Sequence, residues 1–368
     1  MLGQRFEDDL TRVRSGRRPF ELPAFFANIL PEGRFREIVE STLSLPKGDP
    51  LALLVALGED LPGAVTIRPS EGTLPDDLRM NEPLVDHEEA SEQLGLRFSL
   101  AGVQLKFSVA REGDRLVLPA RDQRGTWILK VPSEGYPGLC ENEFAMLRWA
   151  ALAGFEVPSC ETRTTESAPQ LRRWIKGVQT VLLVERYDRA GIRRIHQEDF
   201  AQVVGCRPEK KYDFTVEKLM VLVRGILGDE GYLEMMRRFA FVVAVGNEDA
   251  HLKNWSLVYS DGIQPELSPL YDQVTTIVWP KLERGLALKW AGTREFSRID
   301  LDSFRRLARK SGGEEEAAAR AARETINALR SSWSDLIRDV GLGSDHERAL
   351  REHWATTPLL RDTGGPLA

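Results

Sequence analysis

Residues 247–254 read Asn247-Glu248-Asp249-Ala250-His251-Leu252-Lys253-Asn254. They lie between a predicted helix, Gly231 to Val245, which Gly246 ends, and a predicted hairpin. The hairpin runs through strand Trp255 to Tyr259, turn Ser260-Asp261-Gly262 and strand Gln264 to Leu267, and leads into Ser268-Pro269-Leu270-Tyr271-Asp272. A tight hairpin brings its two ends together, which puts Asn254 beside residues 269–272. The oxygen-bearing side chains of Asp249, Asn254 and Asp272 can then converge, and convergent oxygen ligands suit Mg²⁺. Asp249 and Asn254 also stand in a D-x-x-x-x-N spacing, by which a kinase catalytic loop places a base Asp and a metal-binding Asn; Asp272 then takes the place of the second metal-binding Asp. Taken singly, the three residues are equally a turn cap, a strand end and a solvated loop carboxylate, so the rest of the chain has to decide.

Upstream, Lys130 falls in Trp127-Ile128-Leu129-Lys130-Val131-Pro132, a cation on an otherwise apolar strand that needs a phosphate or carboxylate partner or a route to solvent. Glu141 or Glu143, at the start of a helix predicted over Glu141 to Gly154, can supply the carboxylate. Strands are predicted at Leu105 to Ala110, Leu116 to Pro119, Thr126 to Val131 and Thr180 to Tyr187, the first two joined by Arg111-Glu112-Gly113-Asp114, so an antiparallel sheet is expected. Ser99-Leu100-Ala101-Gly102-Val103-Gln104-Leu105-Lys106 is a candidate phosphate loop, in which Gly102 permits close backbone approach and Lys106 adds charge. It is neither a Walker A motif nor GxGxxG. After Asp188 the pattern is helical, with periodic stretches at Val216 to Leu227, Gly231 to Val245, Leu301 to Ala308 and Glu314 to Val340.

The N-terminal part predicts a small α/β subdomain, with an apolar helix around Leu51 to Leu57 and a short strand at Ala64 to Ile67, followed by an acidic, polar connector from Ser70 to about Glu92. The chain of 368 residues carries 50 Lys+Arg against 56 Asp+Glu, a net charge of −6, which gives no general attraction to DNA or to an anionic membrane. Apolar runs such as Leu51 to Leu57 and Phe239 to Val245 are far too short to span a bilayer, so a cytoplasmic protein is expected. Cys140, Cys160 and Cys206 lack CxxC pairing and indicate neither a disulfide framework nor a zinc site.

Taken in order, Ser99-Leu-Ala-Gly-Val-Gln-x-Lys106, Trp127-Ile-Leu-Lys-Val-Pro132, Glu141-Asn-Glu-Phe144, Val184-Glu-Arg-Tyr-Asp188, His196-Gln-Glu-Asp199, Asp249-Ala-His-Leu-Lys-Asn254 and Leu270-Tyr-Asp272 resemble the HipA-type serine/threonine kinases, toxins of bacterial type II toxin–antitoxin systems. The segment Phe25-Phe26-x-Asn28-x-Leu30-Pro31-Glu32-Gly33 resembles that family's N-terminal subdomain. The resemblance implies an α+β, two-lobed protein-kinase-like fold. Its parts are an N-terminal subdomain over 1–70, an N-lobe with antiparallel sheet, phosphate loop and hinge over 71–187, and a helical C-lobe over 188–368.

By position the resemblance makes Asp249 the catalytic base and Asn254 and Asp272 the Mg²⁺ ligands. Ser99, Gly102, Val103, Gln104, Lys106, Lys130, Glu185, Tyr187, His251 and Lys253 become the ATP site, with Glu185 and Tyr187 at the adenine. Ser99 also takes the place of the autophosphorylated serine. The implied partners are a HipB-type helix-turn-helix antitoxin, operator DNA only through that antitoxin, and a translation protein as substrate, an aminoacyl-tRNA synthetase by family analogy. The His196 motif implies packing or charge pairing near the active site, with no catalytic role.

Two departures stand out. Full-length members carry more chain before the Phe25 segment, so an incomplete N-terminal unit, or one completed by another polypeptide, is expected. Ala250 stands where glycine is usual, and Leu252 where a smaller residue is common. An alanine there is harmless unless its φ is positive, which costs about 1 kcal/mol. Two other functions share these residues: a small-molecule phosphotransferase of related fold, and an inactive module that binds an antitoxin.

Overall fold

Alternation of apolar residues along three strands decides the first structural unit. The computed structural model describes residues 22–68, 105–113, 115–117, 125–133, 135–169, 177–279 and 285–367. A five-stranded sheet contains β1 (Lys106–Glu112), β2 (Arg115–Val117), β3 (Trp127–Lys130), β4 (Cys160–Thr164) and β5 (Thr180–Glu185), in the order β2-β1-β3-β5-β4. The β1/β2, β1/β3 and β3/β5 pairs are antiparallel, as expected. Phe107, Val109, Leu129, Val181 and Leu183 occupy alternate positions and therefore share one face. They are buried in a single cluster with Ile29, Phe35, Val39, Leu53, Leu54 and Leu57. Those residues come from the short helix α1 (Ala24–Asn28) and its C-cap, from α2 (Gly33–Thr42) and from α3 (Pro50–Leu57). Each such side chain contributes roughly 1.5–3 kcal/mol on burial. The sequence of α3 explains both its start and its orientation: Asp49 accepts from the Leu51 and Ala52 amides, and Pro50 opens the first turn.

The strand expected at Ala64 to Ile67 does not form. Its polar groups find partners elsewhere, the Ile67 amide on the Gly58 carbonyl at 2.9 Å and the Val65 carbonyl on the Arg194 guanidinium at 3.1 Å, so no ladder is needed. This subdomain is helical.

Behind it lies a buried charge cluster. The Arg186 guanidinium donates to both carboxylate oxygens of Asp188 and to Asp60, at 2.9 Å in each case. Arg189 donates to Asp188 at 2.9 Å, to Asp60 at 3.1 Å and to the Leu61 and Gly63 carbonyls at 3.0 Å. The Gly63 amide completes Asp188 at 2.7 Å. Burial works against every one of these charges, but the two arginines more than offset it at both carboxylates, which are held below the ordinary aspartate range.

The chain divides into two units, residues 1–131 with 163–208, and residues 132–162 with 209–368. The expected division was 1–70, 71–187 and 188–368; two segments pack otherwise than that division has them. After β5, Arg189 is bound to Asp60, and Asn28 donates to the Cys206 carbonyl at 2.7 Å, so the hairpin β6 (Arg189–Ala190) and β7 (Arg193–Arg194), then β8 (His196–Asp199) and α5 (Phe200–Val204), belong with the first unit. Of the His196 motif, Asp199 forms the capping box of α5 with Gln202. Conversely, α4 (Leu139–Leu152) belongs with the second unit, where the Trp149 indole donates to the Leu329 carbonyl at 3.0 Å and its ring lies 5.2 Å from Trp333 and 6.0 Å from Trp354.

The second unit is mainly helical: α6 (Val216–Val245), α7 (Leu301–Ser311), α8 (Glu315–Ser331), α9 (Trp333–Val340), α10 (Ser344–Thr356) and α11 (Pro358–Thr363). Gly228, at φ 66° and ψ −163°, interrupts α6 between the two stretches expected from periodicity. The stretch expected over Glu314 to Val340 is broken at Ser332. Among the described residues no helix is long and apolar enough to cross a membrane.

Asp188→Asn is expected to cost about 3–5 kcal/mol in urea unfolding, because it leaves two buried guanidiniums facing one carboxylate. Both aspartates have folded pKa values below 3.8, so their stabilisation is complete above that value and is lost as the pH falls below it. Between pH 7 and 5 their contribution should therefore be constant, and any change in wild-type stability there comes from other groups. If the variant unfolds at the wild-type urea midpoint, the cluster contributes nothing.

Candidate active site

The candidate site is built on the end of α6. Gly246 is left-handed at φ 64°, and the Asn247 and Gly246 amides bond back to the Val242 and Val243 carbonyls at 3.1 and 3.3 Å. A Cβ at Gly246 would meet the Ile277 side chain at 2.8 Å, so position 246 needs glycine for both its φ and its space.

The loop that follows is cross-tied to the chain after Asp272. The Glu248 amide donates to the Thr276 hydroxyl oxygen at 2.8 Å, and that hydroxyl donates to the Gly246 carbonyl at 3.0 Å. The Glu248 carboxylate accepts from the Gly285 amide at 2.6 Å. Asn247 accepts from the Asp249 amide at 3.0 Å and donates to Gln273 at 3.2 Å. Asn142 on α4 exchanges two hydrogen bonds with the Thr275 backbone, at 2.8 and 2.9 Å.

The hairpin has the expected effect. Strands β9 (Ser256–Tyr259) and β10 (Glu266–Leu267) pair antiparallel, and the Ser268 amide extends the ladder to the Ser256 carbonyl at 2.9 Å. The second strand is shorter than expected, because the Asp261 carboxylate takes the Ile263 and Gln264 amides and Pro265 has none. The Tyr271 hydroxyl donates to the Lys253 carbonyl at 2.9 Å and bonds the Ser256 hydroxyl at 2.6 Å, so Tyr271 holds the chain on both sides of Asn254.

The donor set fits a small hard cation. Asn254 is 5% exposed, and its Oδ1 is buried without a hydrogen-bond partner. Asp272 is held at φ 55°, a left-handed conformation that aspartate tolerates better than most residues and that marks a functional constraint. Among the described residues no three His, Cys, Asp or Glu side chains gather into a metal cage. Two protein oxygens of this kind suit Mg²⁺, which takes much of its coordination from water and phosphate.

Asp249 is 55% exposed, and its carboxylate accepts from the Tyr212 hydroxyl at 2.6 Å. His251 lies 3.9 Å from the same oxygen. Burial, and then Lys211 and Lys253, push the His251 pKa well below its ordinary value against the opposing charge of Asp272, so this imidazole is neutral at physiological pH. Lys253 is buried beside it in sequence. Ala250 is not at positive φ, so the missing glycine carries no strain.

The first unit places the other expected residues. Lys106 and Lys130 are direct cross-strand partners, both buried, on the sheet face opposite Phe107 and Leu129. Glu185 ends β5 opposite Trp127 and is exposed, and Tyr187 is half-buried between Arg186 and Asp188 of the charge cluster. Glu141 lies exposed in the first turn of α4, and Glu143 is buried one residue beyond Asn142. Ser99, Gly102, Val103 and Gln104 lie outside the described residues.

Tyr212, Lys211, Glu248 and Thr276 escaped sequence reasoning. Tyr212 is 37 residues from Asp249, and no spacing rule links a turn ahead of α6 to the loop behind it. The available signal was Lys211, a buried cation next to an aromatic residue.

Residues 98–333 match the HipA-like C-terminal domain family, and residues 9–68 match the HipA N-terminal domain family. Among relatives, the Sinorhizobium fredii protein "Putative kinase Y4dM" is 36% identical over 355 residues, covering 94% of this chain and 85% of that one. The Shewanella oneidensis "Serine/threonine-protein kinase toxin HipA" is 26% identical over 302 residues, covering 73% of this chain and 66% of that one. Among solved structures, the Shewanella oneidensis complex of HipA, HipB and operator DNA contains a chain with the same fold, at a TM-score of 0.70 and 22% identity, covering 90% of this chain and 82% of that one.

The left-handed backbone at residue 272 separates two substitutions. Asp272→Asn should unfold within about 0.5 kcal/mol of wild type, since asparagine accepts this φ, whereas a β-branched Asp272→Val should lose about 1–2 kcal/mol. Equal stability of the two variants in chemical denaturation would show that φ at 272 carries no strain.

Proposed function

The chain belongs to the HipA family, and from that premise we propose that it is an ATP-dependent protein serine/threonine kinase acting as the toxin of a toxin–antitoxin pair. The observation that carries the reading is the buried, unpartnered Asn254 Oδ1 held by the same hairpin that delivers Asp272, with the exposed carboxylate of Asp249 five residues earlier. A site for burying charge would not leave an amide oxygen unsatisfied, because that costs about 1–3 kcal/mol. A cation-binding site would.

Asn254 and Asp272 are the residues that would hold Mg²⁺, which when bound neutralises phosphate charge. Asp249 accepts the proton of the substrate serine hydroxyl. The serine oxygen forms its bond to the γ-phosphorus of ATP, the bridging β–γ bond breaks, and ADP leaves with the electron pair. Neutral His251 can donate one N–H to a phosphate oxygen without competing as a base, and Lys253 adds positive charge nearby. On the first unit, Lys106 and Lys130 are buried cross-strand partners on one sheet face, a local concentration of positive charge that suits a triphosphate, and they are assigned to ATP. Glu185 and Tyr187, rigidly flanking Arg186, are assigned to the adenine.

Ser99, in the loop with Gly102, Val103 and Gln104, is the proposed autophosphorylation site, where an added phosphate of about −1.5 to −2 charges would repel the triphosphate. The protein substrate is proposed to be a translation protein of the aminoacyl-tRNA synthetase class. The partner is proposed to be a HipB-type helix-turn-helix antitoxin, through which contact with operator DNA would be made; the net charge of −6 agrees with contact by proxy.

Asp249→Asn should lower phosphoryl transfer at least a hundredfold, with Mg·ATP still raising the melting temperature as in wild type, because a base is lost and a metal ligand is not. Labelling of a lysate with γ-labelled ATP, together with intact-mass analysis after ATP treatment, reads both activities. Unchanged labelling by the variant would remove Asp249 from the mechanism, and a phosphate that persists in Ser99→Ala would move the modified residue elsewhere.

A further inference from the structure

Tyr212 has no assigned role, yet it touches the carboxylate on which the proposed transfer depends. Its hydroxyl reaches Asp249 Oδ1 at 2.6 Å, the distance of a strong charge-assisted hydrogen bond. Four contacts define where that hydroxyl sits. The ring meets the His251 imidazole edge to face, with centroids 5.0 Å apart. The Tyr212 carbonyl accepts from the Arg294 guanidinium at 3.2 Å. The carbonyl of the preceding Lys211 accepts from the Leu252 amide at 3.4 Å, which ties the turn before α6 to the loop after it. The Lys211 ammonium lies 5.6 Å from the centroid of the tyrosine ring. A half-exposed tyrosine that served only to cover the loop could turn its hydroxyl to water; this one is fixed on the base.

We infer that Tyr212 is a positioning residue for Asp249. By engaging Oδ1, its hydroxyl sets the plane of the carboxylate that accepts the substrate proton. The backbone that carries this side chain is fixed as well, since Asn247 accepts from the Asp249 amide at 3.0 Å and the His251 amide donates to the Asp249 carbonyl at 2.7 Å. Without the tyrosine, a side chain 55% exposed would lose its 2.6 Å contact at Oδ1, and a smaller fraction of encounters would present a lone pair to the hydroxyl.

The inference rests on Asp249 being the base, and the test keeps the two claims apart. Tyr212→Phe removes one oxygen and keeps the ring on His251, whereas Tyr212→Leu removes both. Steady-state transfer by the full chain is measured for the two variants and for Asp249→Asn, with KM for ATP and the melting temperature. Expected is a fall in kcat of roughly ten- to a hundredfold in Tyr212→Phe, with KM for ATP and melting temperature unchanged, and a similar fall in Tyr212→Leu. Wild-type kcat in Tyr212→Phe, whatever Tyr212→Leu does, overturns the positioning role and leaves a ring that merely packs. A fall that appears in KM with kcat intact overturns it as well. Wild-type kcat in Asp249→Asn would instead sink the base assignment itself.

Discussion

The left-handed turn at Gly246 is the constraint on which the candidate site depends. The apolar last turns of α6, Phe239 to Val245, have no reason of their own to stop at Val245, and every further helical residue would carry Asp249 around the axis and away from the hairpin. The turn is possible because residue 246 has no side chain, and it is compulsory because Ile277 occupies the space a side chain would need. Once the helix stops there, the freed Gly246 carbonyl takes the Thr276 hydroxyl and amide, and the loop is closed on the segment that bears Asp272. Asp249, Asn254 and Asp272 thus come from one short stretch whose two ends are bound to each other rather than from separately placed elements.

The local geometry of the candidate site was legible in the sequence because it lies within one hairpin and its flanks. Asp249, Asn254 and Asp272 span one hairpin, and a hairpin is the structure that sequence patterning describes best. The antiparallel sheet and the long helices were legible for the same reason. What escaped reading depends on partners far along the chain. Ala64 to Ile67 has the residues of a strand, but Arg194 and Gly58 satisfy its backbone instead. The Val184-Glu185-Arg186-Tyr187-Asp188 stretch reads as a strand leading to a binding residue, while Arg186 also binds Asp60, 126 residues earlier. Tyr212 is the same case at the site itself.

The two environments treat charge in opposite ways. Around Arg186 every carboxylate and most guanidinium nitrogens are matched, so the cluster is fixed and chemically inert, and Glu185 and Tyr187 extend from a rigid base. Around Asn254 the matching is left incomplete, and Asp272 stands in a backbone conformation that its neighbours must enforce. The same residue types give a clamp in one place and a receptive site in the other, and the difference lies in whether the last partner is supplied by the chain.

The interleaved order of the two units has a consequence for biosynthesis. The first unit takes its last segment from residues 163–208, and the second needs both residues 132–162 and the helices beyond 209. While the ribosome is still extending the chain, α4 emerges with its Trp149 indole 180 residues short of the Leu329 carbonyl it will bond, and Asn142 is 133 residues short of Thr275. Contacts that distant close late and slowly. A nascent chain can therefore carry the loop of residues 247–254 before the helices against which α4 packs have emerged.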